Sequence, residues 1–251
     1  LEKVHWQSVL PEFDPYKFNS FAVNATRQVN RATTLLQRRL ETVQRNGQLA
    51  QVPPVMTWHS VIDSTVGALG TVDRLYGRLN APQHALTLFD VNRFRALASV
   101  QTPGTQAVID NAIGRRTGGA NESARRYKLD VVGNASPDTF EVVLRTYAPG
   151  QAKAAERSLP LAWPSNVVSL GHVALPFPPD DPVYGFLPGS GANGVASLGS
   201  WLLRGENGAI MLPLGSLTRL RSNPFWSLIE EQVTAIVDAD LAMPRSTAPV
   251  R

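Results

Sequence analysis

The chain of 251 residues contains no cysteine. That excludes disulfides, thiol nucleophiles and cysteine-based zinc sites. It has four histidines, and none stands in a His-x-His or His-x-x-x-His pair, so no metal site is expected. No apolar run approaches the ~20 residues of a membrane span, and no signal peptide is visible. Charge of one sign is scarce too. The 24 basic and 20 acidic residues leave only +4, and the basic clusters are short, as at Arg38-Arg39, Arg115-Arg116 and Arg125-Arg126. A nucleic-acid partner needs a clustered basic face, so none is expected. The Gly-rich run 189–194 lacks the Gly-Lys-Ser/Thr ending of a phosphate loop and reads as a turn. A Gly-x-Ser-x-Gly is also missing throughout.

What is present is a chain able to bury a core. It is 43% hydrophobic and 18% charged, which argues against wholesale disorder. Its length suits one large domain or two small ones. Helical spacing of Val29, Leu36, Leu40 and Val43 predicts a helix over about 20–45, capped by Asn19 or Ser20 and ended at Asn46-Gly47. Its arginines read as a solvated face. Pro53-Pro54 introduce a buried strand at 54–59. Residues 64–79 read as a helix stopped at Asn80-Ala81-Pro82, and 84–90 as the next strand, which makes a βαβ unit with a parallel pair. A helix at 104–115 follows. Alternation at 127–132 and 139–147 around Asn134-Ala135-Ser136-Pro137-Asp138 predicts a β-hairpin. A β-branched run predicts a strand at 166–170, and a final helix spans 225–241 with Leu228, Ile229, Val233, Ile236, Val237 and Leu241 on one face.

The expected fold is therefore α/β: a mostly parallel sheet flanked by helices. The chain reads as a single α/β domain over 1–251, or the carboxy-terminal part of one, with a hairpin-bearing insertion over about 91–165. Buried parallel strands need neighbours. We therefore expect an unpaired sheet edge, or an apolar face covered by another polypeptide.

Two residues stand where parallel sheets put chemistry, just past strand ends. Asp63 follows the strand at 54–59, and His172 follows the strand at 166–170 in Ser169-Leu170-Gly171-His172. A carboxylate that fixes an imidazole tautomer, and an imidazole that accepts a proton near neutral pH, are the acid and base of a hydrolase triad. Each has a plainer alternative. Asp63 can cap the helix that follows, and His172 can be a hydrogen-bonded loop residue. Asp90 is a rival acid, because it too ends a strand. His59, beside Trp58, reads as packed. His5 and His84 have no partner, Asp180-Asp181 reads as solvated, and Ser190 and Ser200 lie on no strand-to-helix elbow.

The stretch from Val52 to Asp90 and the block Ser169-Leu170-Gly171-His172-Val173-Ala174-Leu175-Pro176-Phe177 resemble lysophospholipase-like and esterase-like proteins of the α/β-hydrolase superfamily. The resemblance covers about half the chain. It implies an α/β-hydrolase-like fold and hydrolysis of acyl esters, with Asp63 and His172 as catalytic residues and no cofactor. The substrate would be a small ester or a lipid. The family's nucleophile elbow has no counterpart here, so the nucleophile is expected from an upstream segment or a second chain. The alternative is a non-catalytic binding protein on the same scaffold. The location expected from these features is cytoplasmic.

Overall fold

A computed structural model describes residues 5–9, 20–63, 66–91, 105–113, 125–162, 176–182, 202–204, 211–213 and 222–242. Its centre is a five-stranded sheet in the order β3-β4-β5-β6-β7. The strands are β3 (Met56–Ser60), β4 (Ala85–Asp90), β5 (Lys128–Asn134), β6 (Glu141–Tyr147) and β7 (Ala155–Ala162). The β3–β4 and β4–β5 ladders are parallel, and β5–β6 and β6–β7 are antiparallel. Only β6 therefore runs against the rest. The sheet is mixed, most of its strands point one way, and the class is α/β. Outside it, β1 (Trp6–Ser8) pairs with β2 (Phe21–Ala22), and β8 (Leu202–Arg204) with β9 (Met211–Pro213), both antiparallel.

Both faces of the sheet are covered, which accounts for the near-continuous apolar character of β4 and β5. On one face Leu86, Leu88, Leu129, Val131 and Tyr147 pack with Ala68, Val72 and Tyr76, and with Val108, Ile109 and Ala112. The helical residues belong to α2, a turn at Ala68–Gly70 that continues through Thr71–Tyr76, and to α3 (Thr105–Ile113). On the other face Phe89, Val132, Val142, Leu144 and Leu159 pack with Phe225 and Leu228, at the start of α4 (Trp226–Ala242). Phe89 and Phe225 stack at 5.8 Å.

The parallel β3–β4 pair, the α3 helix and the β5–β6 hairpin agree with the sequence reading. Several details do not. The expected helix over 64–79 is shorter and wider, because Gly77 N–H bonds five residues back to Val72 O (2.9 Å). That π-type turn needs a glycine: a Cβ at Gly77 would stand 2.2 Å from the Asp73 carbonyl oxygen. The first helix, α1 (Val23–Arg45), is capped at Ala22 without a side-chain bond. Residues 21 and 22 are held in strand pairing with β1, so Ser20 is too early to cap. Gly47 does end it, with φ of 68°. The stripe expected to bury α1 is buried only at Leu40. The hairpin in 91–165 is built into the central sheet beside β4, and β7 extends it although the sequence reading placed no strand there. Among the described residues β3 pairs only with β4 and β7 only with β6. The expected strand at 166–170 lies outside the described residues. No helix among those described is long and apolar enough to cross a membrane.

Candidate functional site

The carboxyl ends of β3 and β4 lie side by side, with Ser60 opposite Phe89 in register. The ladder runs one step further through Val61 N–H to Phe89 O (3.1 Å), and the chain then turns, Asp63 N–H to Ser60 O (3.1 Å). This turn sets Asp63 at the sheet edge, and Asp90 ends the neighbouring strand there. Beside Asp90 is Gly133 of β5, where an added Cβ would stand 3.2 Å from the Asp90 carbonyl oxygen.

Asp63 is held by a chain of hydrogen bonds. Its Oδ1 accepts from Val66 N–H at 3.0 Å; the helix itself begins at Ala68, behind Gly67 and without a side-chain cap, so this bond holds the turn after β3 and is not the helix cap expected from sequence. Val66 O in turn lies 2.8 Å from His59 Nε2. A carbonyl can only accept, so Nε2 carries the proton. Nδ1 is then the acceptor for the Thr71 hydroxyl at 3.3 Å. His59 is buried and ties the turn after β3 to α2, so its packed reading agrees with the structure. Sequence reasoning did not connect it to Asp63. The signal was the seven-residue spacing to Val66, which has meaning only once the chain folds back.

His172 lies outside the described residues, so its distance from Asp63 or Asp90 is not part of the geometry above. The chain on both sides of it is described. β7 runs in the direction of β3, so Ala162 leaves the sheet at the same end as Asp63 and Asp90. On the other side, Phe177 O accepts from Asn223 N–H at 2.8 Å. Asn223 is fully buried, and its Oδ1 takes the N–H of Phe225 (2.9 Å). Phe225 is the ring stacked on Phe89, the residue before Asp90. Ser190 and Ser200 are outside the described residues, as are the glycines of 189–194.

A second polar group crosses the opposite side of the sheet. Trp58, Thr87, Asp130 and Thr146 stand in one row over β3 to β6. Gln232 of α4 closes it: its Oε1 accepts from the Trp58 indole (2.7 Å) and the Thr87 hydroxyl (3.4 Å), and its Nε2 donates to Asp130 Oδ2 (2.9 Å). Asp130 is buried and also takes the Thr146 hydroxyl at 2.6 Å and Lys128 Nζ at 3.0 Å. Every carboxylate oxygen is engaged, so this row fixes α4 on the sheet.

The remaining buried ionisable groups are structural. His84 accepts Val55 N–H on Nδ1 (3.1 Å), and burial pushes its pKa below the ordinary value. Tyr76 donates to Ala85 O (2.5 Å), and burial raises its hydroxyl to about 12. Burial likewise raises Tyr127 to about 12. Comparison of the chain with protein-family models, curated proteins and solved structures finds no match.

Proposed function

We propose that the chain carries the acid and base of an acyl-ester hydrolase. In this reading His172 is the general base and Asp63 the carboxylate that orients it. A serine hydroxyl supplied by polypeptide outside these residues is the nucleophile. The imidazole takes the serine proton as the ester carbonyl is attacked and returns it to the departing alcohol, while the carboxylate holds the tautomer and stabilises the imidazolium. One observation carries the reading. Phe177 is anchored through Asn223 and Phe225 to the end of β4, beside Asp90. His172 lies five positions before it, so the two α-carbons are at most ~17 Å apart, and His172 is tethered near the end of the sheet to which Phe177 is anchored.

The test is hydrolysis of short-chain p-nitrophenyl esters by the full-length natural protein. His172→Ala is expected to lower turnover by ~10⁴-fold, the scale of triad losses. Asp63→Asn is the sharper variant. Asparagine keeps the oxygen that Val66 N–H needs, so the turn bond survives and stability hardly changes. The carboxylate is lost, and turnover falls by a comparable factor. Should Asp90→Asn remove activity while Asp63→Asn keeps it, the acid is Asp90. Wild-type turnover unaffected by His172→Ala would refute the hydrolase reading and leave a binding protein on this scaffold.

A further inference from the structure

Helices α1 and α4 carry apolar surface that the described chain leaves uncovered. In α1, Val29, Leu35 and Leu36 are 60%, 57% and 46% exposed. Leu35 has Arg31, Arg38 and Arg39 within one turn. The helix holds five arginines and a single acid, Glu41, which is bridged to Arg78 at 2.7 Å. In α4 the sheet side is taken by Leu228 and Gln232, while Val233, Ile236, Val237 and Leu241 are exposed. The sequence reading set Leu228, Ile229, Val233, Ile236, Val237 and Leu241 on one face; of these only Leu228 is buried, and the four farther along the helix are exposed. Around its exposed stripe stand Glu230, Glu231, Asp238 and Asp240, with no basic residue in the helix.

The two surfaces are complementary in charge and in polarity along the axis. A helix carboxyl end favours cations and an amino end favours anions. Asp238 and Asp240 sit near the wrong end of α4, and Arg27 and Arg31 near the wrong end of α1. Antiparallel apposition of α1 on α4 corrects both. With Leu35 set against Ile236, Arg31 and Asp240 fall at the same level, and Arg38 falls level with Val233, about one turn from Glu230. Among the described residues α1 and α4 make no extensive contact with each other within one chain.

We propose that α1 of one copy packs antiparallel on α4 of a second copy, and by two-fold symmetry the reverse, so that the chain self-associates through two reciprocal helix pairs. The contact is apolar at its centre and ionic at its rim, and salt weakens it. It is independent of the hydrolase reading, because neither helix carries Asp63 or His172.

Sedimentation equilibrium of the wild-type protein at micromolar concentration, in low and high salt, measures the association. Two charge-reversed proteins test its location: Arg31→Glu with Arg38→Glu in α1, and Glu230→Arg with Asp240→Arg in α4. Each alone is expected to raise the dimer dissociation constant at least ~10-fold. An equimolar mixture regains dimer, since α1 of each variant then meets an α4 of matching charge. Recovery on mixing also shows that both variants are folded, and far-UV circular dichroism checks each alone. A monomeric wild type overturns the proposal, as does a dimer indifferent to both reversals, or a mixture that stays monomeric while both variants are folded. Binding of α1 to phosphatidylglycerol vesicles without self-association would assign its surface to anionic lipid instead.

Discussion

Among the described residues, Arg125 is a buried cation with no carboxylate against it. It is 5% exposed. Its Nη1 donates to the carbonyls of Tyr127 and, at 3.0 Å, Tyr147. Its Nη2 donates to Ala148 O (2.7 Å) and Gln151 O (2.9 Å). The guanidinium also lies 5.7 Å and 6.0 Å from the ring centres of Tyr127 and Tyr147, at the outer limit of cation–π attraction. Its own carbonyl takes Gly150 N–H at 2.5 Å. One planar fork thus holds the start of β5, the end of β6 and the turn after it. Consider Arg125→Met, which keeps much of the apolar volume. The two carbonyls on Nη1 are buried and would lose their donor, at about 1–2 kcal/mol each. Those on Nη2 are only part-buried, and water can replace the lost bonds at little cost. Relief from burying a charge, which already pushes the Arg125 pKa down, offsets some of this. The net destabilisation is about 2 kcal/mol, or ~30-fold in the folding equilibrium. For a domain of this size it lowers Tm by about 4–8 °C. Urea unfolding followed by far-UV circular dichroism measures it, with Arg125→Lys as the control. Lysine keeps the charge but is a point donor that cannot span four carbonyls, so it should recover less than half of the loss. A methionine variant within ~0.5 kcal/mol of wild type, or full rescue by lysine, would refute the fork as the source of stability.

Three further outcomes are expected. Gly77→Ala forces a Cβ into the Asp73 carbonyl and should cost about 1–3 kcal/mol, the range of overpacking, read as a lower urea midpoint; an unchanged midpoint would mean the wide turn has relaxed. His84 has a folded pKa held below its unfolded value of 6.5 by burial, so the unfolded chain binds more protons at acid pH. Its stabilising contribution is complete above pH 6.5 and is lost as pH falls from there through the depressed folded value; urea midpoints across pH 5–8 should show this fall, and His84→Gln should remove that part of it. Gln232→Leu leaves the Trp58 indole and Thr87 hydroxyl without their acceptor, with an expected loss of about 1–3 kcal/mol and a change in tryptophan emission; retention of both signals would show that α4 is held by its apolar contacts alone.

Local chemistry made part of this protein legible in its sequence. The alternation of β5 and β6 about a Pro-Asp turn, the apolar runs of β3 and β4, and the glycine that ends α1 are all signals carried within a few residues of the element they define. Asp63 belongs with them, since an Asp after a strand and before Ser-Thr announces a turn. The tertiary structure alone decided the rest, because the partners are far apart along the chain. β7 hides a proline at position 160, tolerable because it falls in the bulge between Leu159 and Ala162, where the β6–β7 register shifts. Nothing near Arg125 distinguishes it from the solvated Arg126; it is buried because carbonyls 22 and 23 residues away converge on it. Gln232 meets Trp58 across 174 residues and Asp130 across 102, so no periodicity in α4 could announce that a glutamine would face the sheet. Helical spacing in α1 and α4 identified amphipathic surfaces, but spacing gives no partner. The packing of α4 on the sheet leaves four of its apolar side chains facing outward, because the polar row occupies the strip of sheet beneath it.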